Sequence, residues 1–137
     1  MQVVGARGTG KTTFLRLLLE TADISPSATL DQRSSLESFL AHKPRPTSAI
    51  KTLSIEIMDS PSENMLLSVI DTPGLEFGAG KELVLEQQIN SLVREIEGRY
   101  ADTMIEESKV IRTSKGDGHV HLLALPLKTS CRPLTLA

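Results

Sequence analysis

Tryptophan is absent from this sequence, and one tyrosine and three phenylalanines are its only large aromatic side chains. The interior must therefore be built from aliphatic residues. A single cysteine, Cys131, excludes an internal disulfide and fits a reducing compartment. No apolar run reaches the length of a membrane span, and the most apolar stretch, residues 14–19, is broken by Arg16, which makes it a poor signal-peptide core. Charge of neither sign dominates: 15 Lys and Arg against 17 Asp and Glu leave a net −2. That balance argues against a nucleic-acid or membrane surface built on charge. With 39% hydrophobic and 23% charged residues over 137 positions, the composition suits one modest globular domain. The expectation is a cytoplasmic protein without a transmembrane segment.

Against these absences stands Gly5-Ala6-Arg7-Gly8-Thr9-Gly10-Lys11-Thr12. It fits G-x-x-x-x-G-K-[ST], the phosphate-binding loop of nucleoside triphosphatases. Glycines let backbone N–H groups turn inward into an anion nest. Lys11 brings positive charge to the β- and γ-phosphates, the Thr12 hydroxyl coordinates Mg²⁺, and the following helix aims the positive end of its dipole at the same phosphates. The flanks agree: an apolar strand over residues 1–4, then a strongly helix-forming run from Lys11 to about Thr21 that begins with Thr12 and Thr13. The expected nucleotide-binding residues are Gly5, Arg7, Gly8, Thr9, Gly10, Lys11, Thr12 and Thr13.

Downstream, residues 23–48 are rich in Ser, Pro and Thr without a clean period and read as a mobile loop. Leu53, Ile55 and Ile57 alternate with Ser54 and Glu56, the mark of a half-buried strand. A turn cluster at 59–64 and an apolar run at 65–70 complete an antiparallel pair. Ile89, Leu92, Val93, Ile96, Tyr100 and Met104 predict one long helix over 82–108, with Gly98 as a weak point. Residues 113–118 read as a polar loop, and 120–125 as a central parallel strand covered on both faces.

Asp71-Thr72-Pro73-Gly74 follows the second strand of the hairpin. In a guanine-nucleotide switch this D-x-x-G faces the phosphate loop: the aspartate holds Mg²⁺ through a water and the Gly74 N–H bonds the γ-phosphate. The intervening loop must supply a threonine for the metal and the γ-phosphate. Thr47 is the first choice, and the one residue assigned to catalysis; Thr52 is the second. The metal set is then Thr12, Thr47 and Asp71.

With these residues in place the chain resembles a septin, one of the filament-forming GTPases. The phosphate loop carries the extra glycine of the septin form, Gly8, and Asp71-Thr72-Pro73-Gly74 is shared. The segment from Tyr100 through Glu106 and Glu107 to Arg112 is similar to a septin stretch with an aromatic, an acidic pair and a terminal arginine. Asp117-Gly118-His119-Val120-His121 resembles D-x-R-V-H, with His119 in place of the arginine, and Pro126 and Arg132-Pro133-Leu134 keep the spacing of P-x-G-H-x-L-K-P-L. The septin-related immunity-associated and chloroplast-import GTPases, which also show D-T-P-G-L, are the second family. The resemblance implies a three-layer α/β phosphate-loop fold, GTP or GDP with Mg²⁺ as ligands, slow hydrolysis, septin-like subunits or self-association as partners, and a cytoskeletal location.

The sequence departs from the family in several places. Lys128-Thr129-Ser130 replaces the Gly-His loop, the polybasic segment before the domain is missing, and no N-K-x-D or A-K-A-D occurs, so nothing visible rejects adenine. The expected fold is therefore truncated after its fourth strand, which leaves 120–125 as an unpaired apolar edge. A rival reading is a degenerate, non-catalytic fragment that acts as an interaction module. Leu75 stands where Ras-like enzymes place the glutamine that orients water, and leucine cannot bond water. Arg7 either reaches the γ-phosphate as an internal finger or crowds the water out; crowding is favoured. His119, His121 and Cys131 are read as structural rather than as a metal site, Glu106 and Glu107 as a solvated face, and Lys81 and Lys115 as loop residues without an evident partner.

Overall fold

The computed structural model describes residues 1–41, 45–60, 63–111 and 118–127. Its elements run β1 (Gln2–Val3), α1 (Lys11–Thr21), α2 (Leu30–Ala41), β2 (Lys51–Ser60), β3 (Glu63–Asp71), α3 (Glu82–Glu107) and β4 (Leu123–Ala124). The strands form one sheet in the order β2-β3-β1-β4. β2 and β3 are antiparallel, and β1 runs parallel to both β3 and β4. The architecture is the expected α/β phosphate-loop fold. Pro61 and Ser62 of the expected turn cluster, Lys115 and Asp117, the Lys128-Thr129-Ser130 stretch, Cys131 and Arg132-Pro133-Leu134 lie outside the described residues.

Alternation along the hairpin sorts its side chains between two faces. Leu53 pairs with Val69 and Ile55 with Leu67 on one face. Against them pack Val3, Leu15 and Leu19 of α1, and Leu36 of α2, forming a single buried aliphatic core. Leu15 and Leu19 are one helical turn apart, so α1 buries one stripe and leaves Phe14 and Leu17 exposed. Each fully buried leucine contributes about 1.5–3 kcal/mol of transfer free energy.

The loop expected over 23–48 contains a helix instead. α2 starts with a capping box: the Gln32 N–H donates to Thr29 Oγ1 at 3.3 Å, and the Thr29 N–H donates to Gln32 Oε1 at 3.1 Å. Arg33 ties the entry to the preceding segment, donating to the Ser25 carbonyl at 2.8 Å and the Ala28 carbonyl at 3.2 Å. Residues 23–25 run along the outer edge of β2, where the Ser25 N–H donates to the Glu56 carbonyl at 2.9 Å and the Met58 N–H to the Asp23 carbonyl at 2.8 Å. Part of that edge is thus closed by backbone hydrogen bonds.

The opposite face of the sheet is mixed. Thr52, Ser54 and Ser68 share it with the buried Ile70, and the Ser54 and Ser68 hydroxyls are 2.8 Å apart. α3 crosses this face, and Arg99 donates to Thr52 Oγ1 at 3.2 Å. The helix is continuous through Gly98, but none of its residues is buried. Ile89, Val93, Tyr100 and Met104 are exposed, while Leu92 and Ile96 are half-buried. The periodic stripe therefore gives a helix whose apolar side is only partly covered.

β4 is likewise shorter and barer than the expected 120–125 strand. Only Leu123 and Ala124 pair with β1, and Leu122, Leu123 and Leu125 are exposed. Among the described residues β4 is the end strand of the sheet, with Ala124 packed against the core and Leu123 exposed.

Gln2 is fully buried, and neither its Oε1 nor its Nε2 has a hydrogen-bond partner among the described residues. A buried amide left unpaired costs about 1–3 kcal/mol. Gln2→Met keeps the volume and removes the polar atoms. Urea denaturation should show this variant more stable by about 1–3 kcal/mol; a loss of stability would show that the amide is satisfied.

Candidate functional site

The two motifs meet at the C-terminal ends of β1 and β3, which are parallel neighbours with Val3 opposite Asp71. The pairing continues past both strands. Thr72 Oγ1, fully buried, donates to the Val3 carbonyl at 2.6 Å. The Leu75 N–H donates to the Gly5 carbonyl at 3.0 Å, and the Arg7 N–H to the Leu75 carbonyl at 3.0 Å. The phosphate loop is therefore laced to the segment after Asp71. Gly74 sits at the crossing: a Cβ there would lie 2.6 Å from Arg7 Cα. Only glycine permits that approach without a backbone shift.

Within the loop, Gly8 and Gly10 adopt φ values of 78° and 82°, a region that side chains disfavour. Gly10 is also the N-cap of α1 and offers no capping side chain, and the first helical turn has no acidic residue. The leading N–H groups of α1 thus have no side-chain acceptor at the helix's positive end, an arrangement suited to an anion. Lys11 is buried, and its Nζ donates to the carbonyls of Gly5 at 3.1 Å and Ala6 at 2.9 Å. Burial pulls its pKa below the ordinary lysine value, an effect partly offset by the Asp71 carboxylate.

Three oxygens converge beside this lysine. Thr12 Oγ1 donates to Asp71 Oδ2 at 2.8 Å, and Thr47 Oγ1 donates to the same oxygen at 2.9 Å. The two hydroxyls are 3.1 Å apart. Asp71 is only 2% exposed, and its other oxygen, Oδ1, has no hydrogen-bond partner among the described residues. A buried carboxylate oxygen with nothing to accept is costly unless a cation or donor arrives. Two hydroxyls and a carboxylate are also the hard oxygen donors that Mg²⁺ takes. The donor set therefore fits a small divalent cation. Thr52 lies elsewhere, on the α3 side of the sheet with Arg99.

These groups border a cleft of about 520 Å³ whose walls include Lys11, Thr12, Thr13, Thr47 and Gly74. Of the other residues expected here, Gly8, Gly10 and Arg7 line the cleft as well. Gly5 serves through its carbonyl, and Thr9 turns inward, its Oγ1 donating to the Ala6 carbonyl at 2.9 Å. Among the residues that motif reading passed over, Arg45, Glu76 and Gln88 also reach the cleft. Gln88 Oε1 accepts the Glu76 N–H at 3.0 Å.

Glu76 joins two cations. Its Oε2 accepts from Lys81 Nζ at 2.6 Å, and its Oε1 lies 3.5 Å from Arg7 Nη1. Lys81 thus has a clear partner, contrary to expectation. The Lys81 hydrogen bond and charge, aided by the charge of Arg7, hold the Glu76 carboxyl below the usual glutamate value. Leu75 makes the backbone bonds above and lines a small apolar hollow with Ile50, Pro73 and Leu92. His119 lies near Tyr100 and His121, with ring centroids 5.1 and 6.2 Å away, and no group of three or more His, Cys, Asp or Glu side chains that could hold a metal occurs among the described residues. No described helix is long and apolar enough to cross a membrane.

The septin family model matches residues 1–134, nearly the whole chain. The chain therefore belongs to the septin family of GTP-binding proteins. No curated protein matches the sequence.

The Asp71 arrangement can be tested without a nucleotide. Asp71→Ala strips two hydroxyls of their acceptor, which should cost about 1–3 kcal/mol in chemical denaturation. The variant should also lose any Mg²⁺-dependent rise in Tm seen with the parent chain. Equal Mg²⁺ responses would remove Asp71 from the metal set.

Proposed function

We propose that this septin-family chain binds GTP or GDP with Mg²⁺ in the cleft at the N-terminus of α1, and turns GTP over slowly at most. The observation that carries this reading is the meeting of Thr12, Thr47 and Asp71 on one buried carboxylate oxygen, with the second oxygen unpaired, beside Lys11. In this reading the N–H groups around Gly8 and Gly10 cradle the phosphates, together with the start of α1 at Thr12 and Thr13. The Lys11 ammonium exchanges its carbonyl partners for the β- and γ-phosphate oxygens. The hydroxyls of Thr12 and Thr47 and the Asp71 carboxylate hold the cation, which when bound neutralises developing phosphate charge. Thr47 additionally positions the terminal phosphate, and the Gly74 N–H reports its presence.

Slow turnover is supported by Leu75. Its side chain lines an apolar hollow and has no group to orient water. A second reading, a non-catalytic module that works by protein contacts alone, draws on the same residue. Family membership supports septin-like subunits or self-association as partners, and a cytoplasmic, cytoskeletal setting. In single-turnover assays phosphate release should be very slow, and rapid release abolished by Arg7→Ser would restore Arg7 as an internal finger.

Titration calorimetry tests the binding step directly. Lys11→Ala removes a charge-assisted contact worth about 1.5–3 kcal/mol, so affinity for Mg²⁺–GTP should fall roughly ten- to a hundredfold. An unchanged isotherm would contradict the reading.

A further inference from the structure

A second carboxylate stands at the phosphate cleft besides Asp71. Glu76, in the segment after Gly74, borders the cleft together with Arg7 and Gln88. Its two carboxylate oxygens are shared unequally. Oε2 makes a 2.6 Å hydrogen bond with Lys81, the N-cap residue of α3, whereas Oε1 stands 3.5 Å from Arg7 Nη1. The backbones on either side cannot easily part, because Arg7 and Leu75 are hydrogen-bonded to each other and Gly74 packs against Arg7 Cα. The side chain of Arg7 is the piece with freedom: it is 65% exposed, against 30% for Glu76.

We infer that Arg7 acts as a sensor of the terminal phosphate, held by Glu76 in the resting protein and passed to the phosphate when a nucleoside triphosphate enters. The inference rests on the proposed nucleotide cleft and adds to it a device that separates triphosphate from diphosphate. Three features make the exchange feasible. The Arg7–Glu76 contact is long and half-solvated, so it is a weak pair to break. Its replacement, a guanidinium on phosphate, is charge-assisted and suits bidentate geometry. Glu76 is not stranded when Arg7 leaves, since Lys81 keeps its shorter bond. The exchange also has a route outward. Glu76 is joined to α3 at two points, through Lys81 and through the Gln88 amide that accepts its N–H. A change in what Glu76 must balance is therefore felt at the start of α3.

The same geometry makes Glu76 selective in the opposite sense. A carboxylate at the cleft opposes added negative charge there, and it opposes a triphosphate more than a diphosphate. Removing the carboxylate and removing the guanidinium should therefore move the two ligands in different directions.

The test is calorimetry of the 137-residue chain with Mg²⁺ and either GDP or the slowly hydrolysed analogue GTPγS, for the parent, Arg7→Ala and Glu76→Gln. Arg7→Ala should weaken GTPγS about tenfold or more while GDP changes less than about twofold. Glu76→Gln, which frees Arg7, should tighten GTPγS by roughly two- to fivefold with GDP unchanged. Two variants with opposite expected signs keep the result independent of any folding defect in one of them. If either change shifts GDP and GTPγS equally, or shifts neither, the ion pair is only a surface contact and the sensor is overturned while the cleft stands. If the parent chain binds neither nucleotide, the cleft reading fails and the sensor with it.

Discussion

Asp71 is a carboxylate taken almost wholly out of water, and the arrangement of the described chain follows from what it needs. An uncompensated buried charge is expensive, so it must find donors and opposite charge close by. Thr12 comes from the first turn of α1, Thr47 from the loop before β2, and Asp71 itself from the end of β3. Lys11 supplies the nearby positive charge. Three segments distant in sequence are thus drawn to one point. The sheet holds that point in place by extending the β1–β3 pairing through Thr72 on Val3 and Leu75 on Gly5 and Arg7. The site sits outside the carboxyl ends of two parallel strands, where open α/β sheets carry their ligands.

The packing is lopsided. The main buried aliphatic cluster lies between the hairpin, β1, α1 and α2. The other sheet face presents Thr52, Ser54 and Ser68 beside the buried Ile70, and α3, none of whose residues is buried, reaches it through Arg99. Stability and ligand chemistry therefore share one half of the molecule: α1 both buries Leu15 and Leu19 and presents Lys11 and Thr12. The lightly packed α3 half is where movement costs least, since few buried contacts oppose it. Lys81 and Gln88 connect that half to Glu76 at the cleft.

Much of this was legible in the residues. Gly5 to Thr12 requires a strand before it and a helix after it, because the glycine turn serves phosphate only in that context. Period-two alternation at Leu53, Ile55 and Ile57 marked the core face of β2. Thr47 is brought to Asp71, as its place just before β2 suggested. α2 was hidden by composition: a segment rich in Ser, Pro and Thr resembles loop. Its local signal was nonetheless present in Thr29-x-x-Gln32 followed by Leu36, Phe39 and Leu40 at helical spacing. The 120–125 strand was overread because an apolar run reports β-propensity and says nothing of the layers needed to cover it. The Glu76 partnerships with Arg7, Lys81 and Gln88 had no sequence signal, since they depend on how α3 is laid across the end of the sheet.

The central claim is that Thr12, Thr47 and Asp71 form one cation site serving the phosphate loop. Crystals grown with Mn²⁺ and a non-hydrolysable GTP analogue test it most directly, because the metal's anomalous scattering marks its position independently of the protein chain. The account predicts one strong peak beside Thr12 Oγ1, Thr47 Oγ1 and the Asp71 carboxylate, in contact with the phosphates held above Lys11. A nucleotide bound without a peak there, or a peak ligated by other side chains, would contradict it.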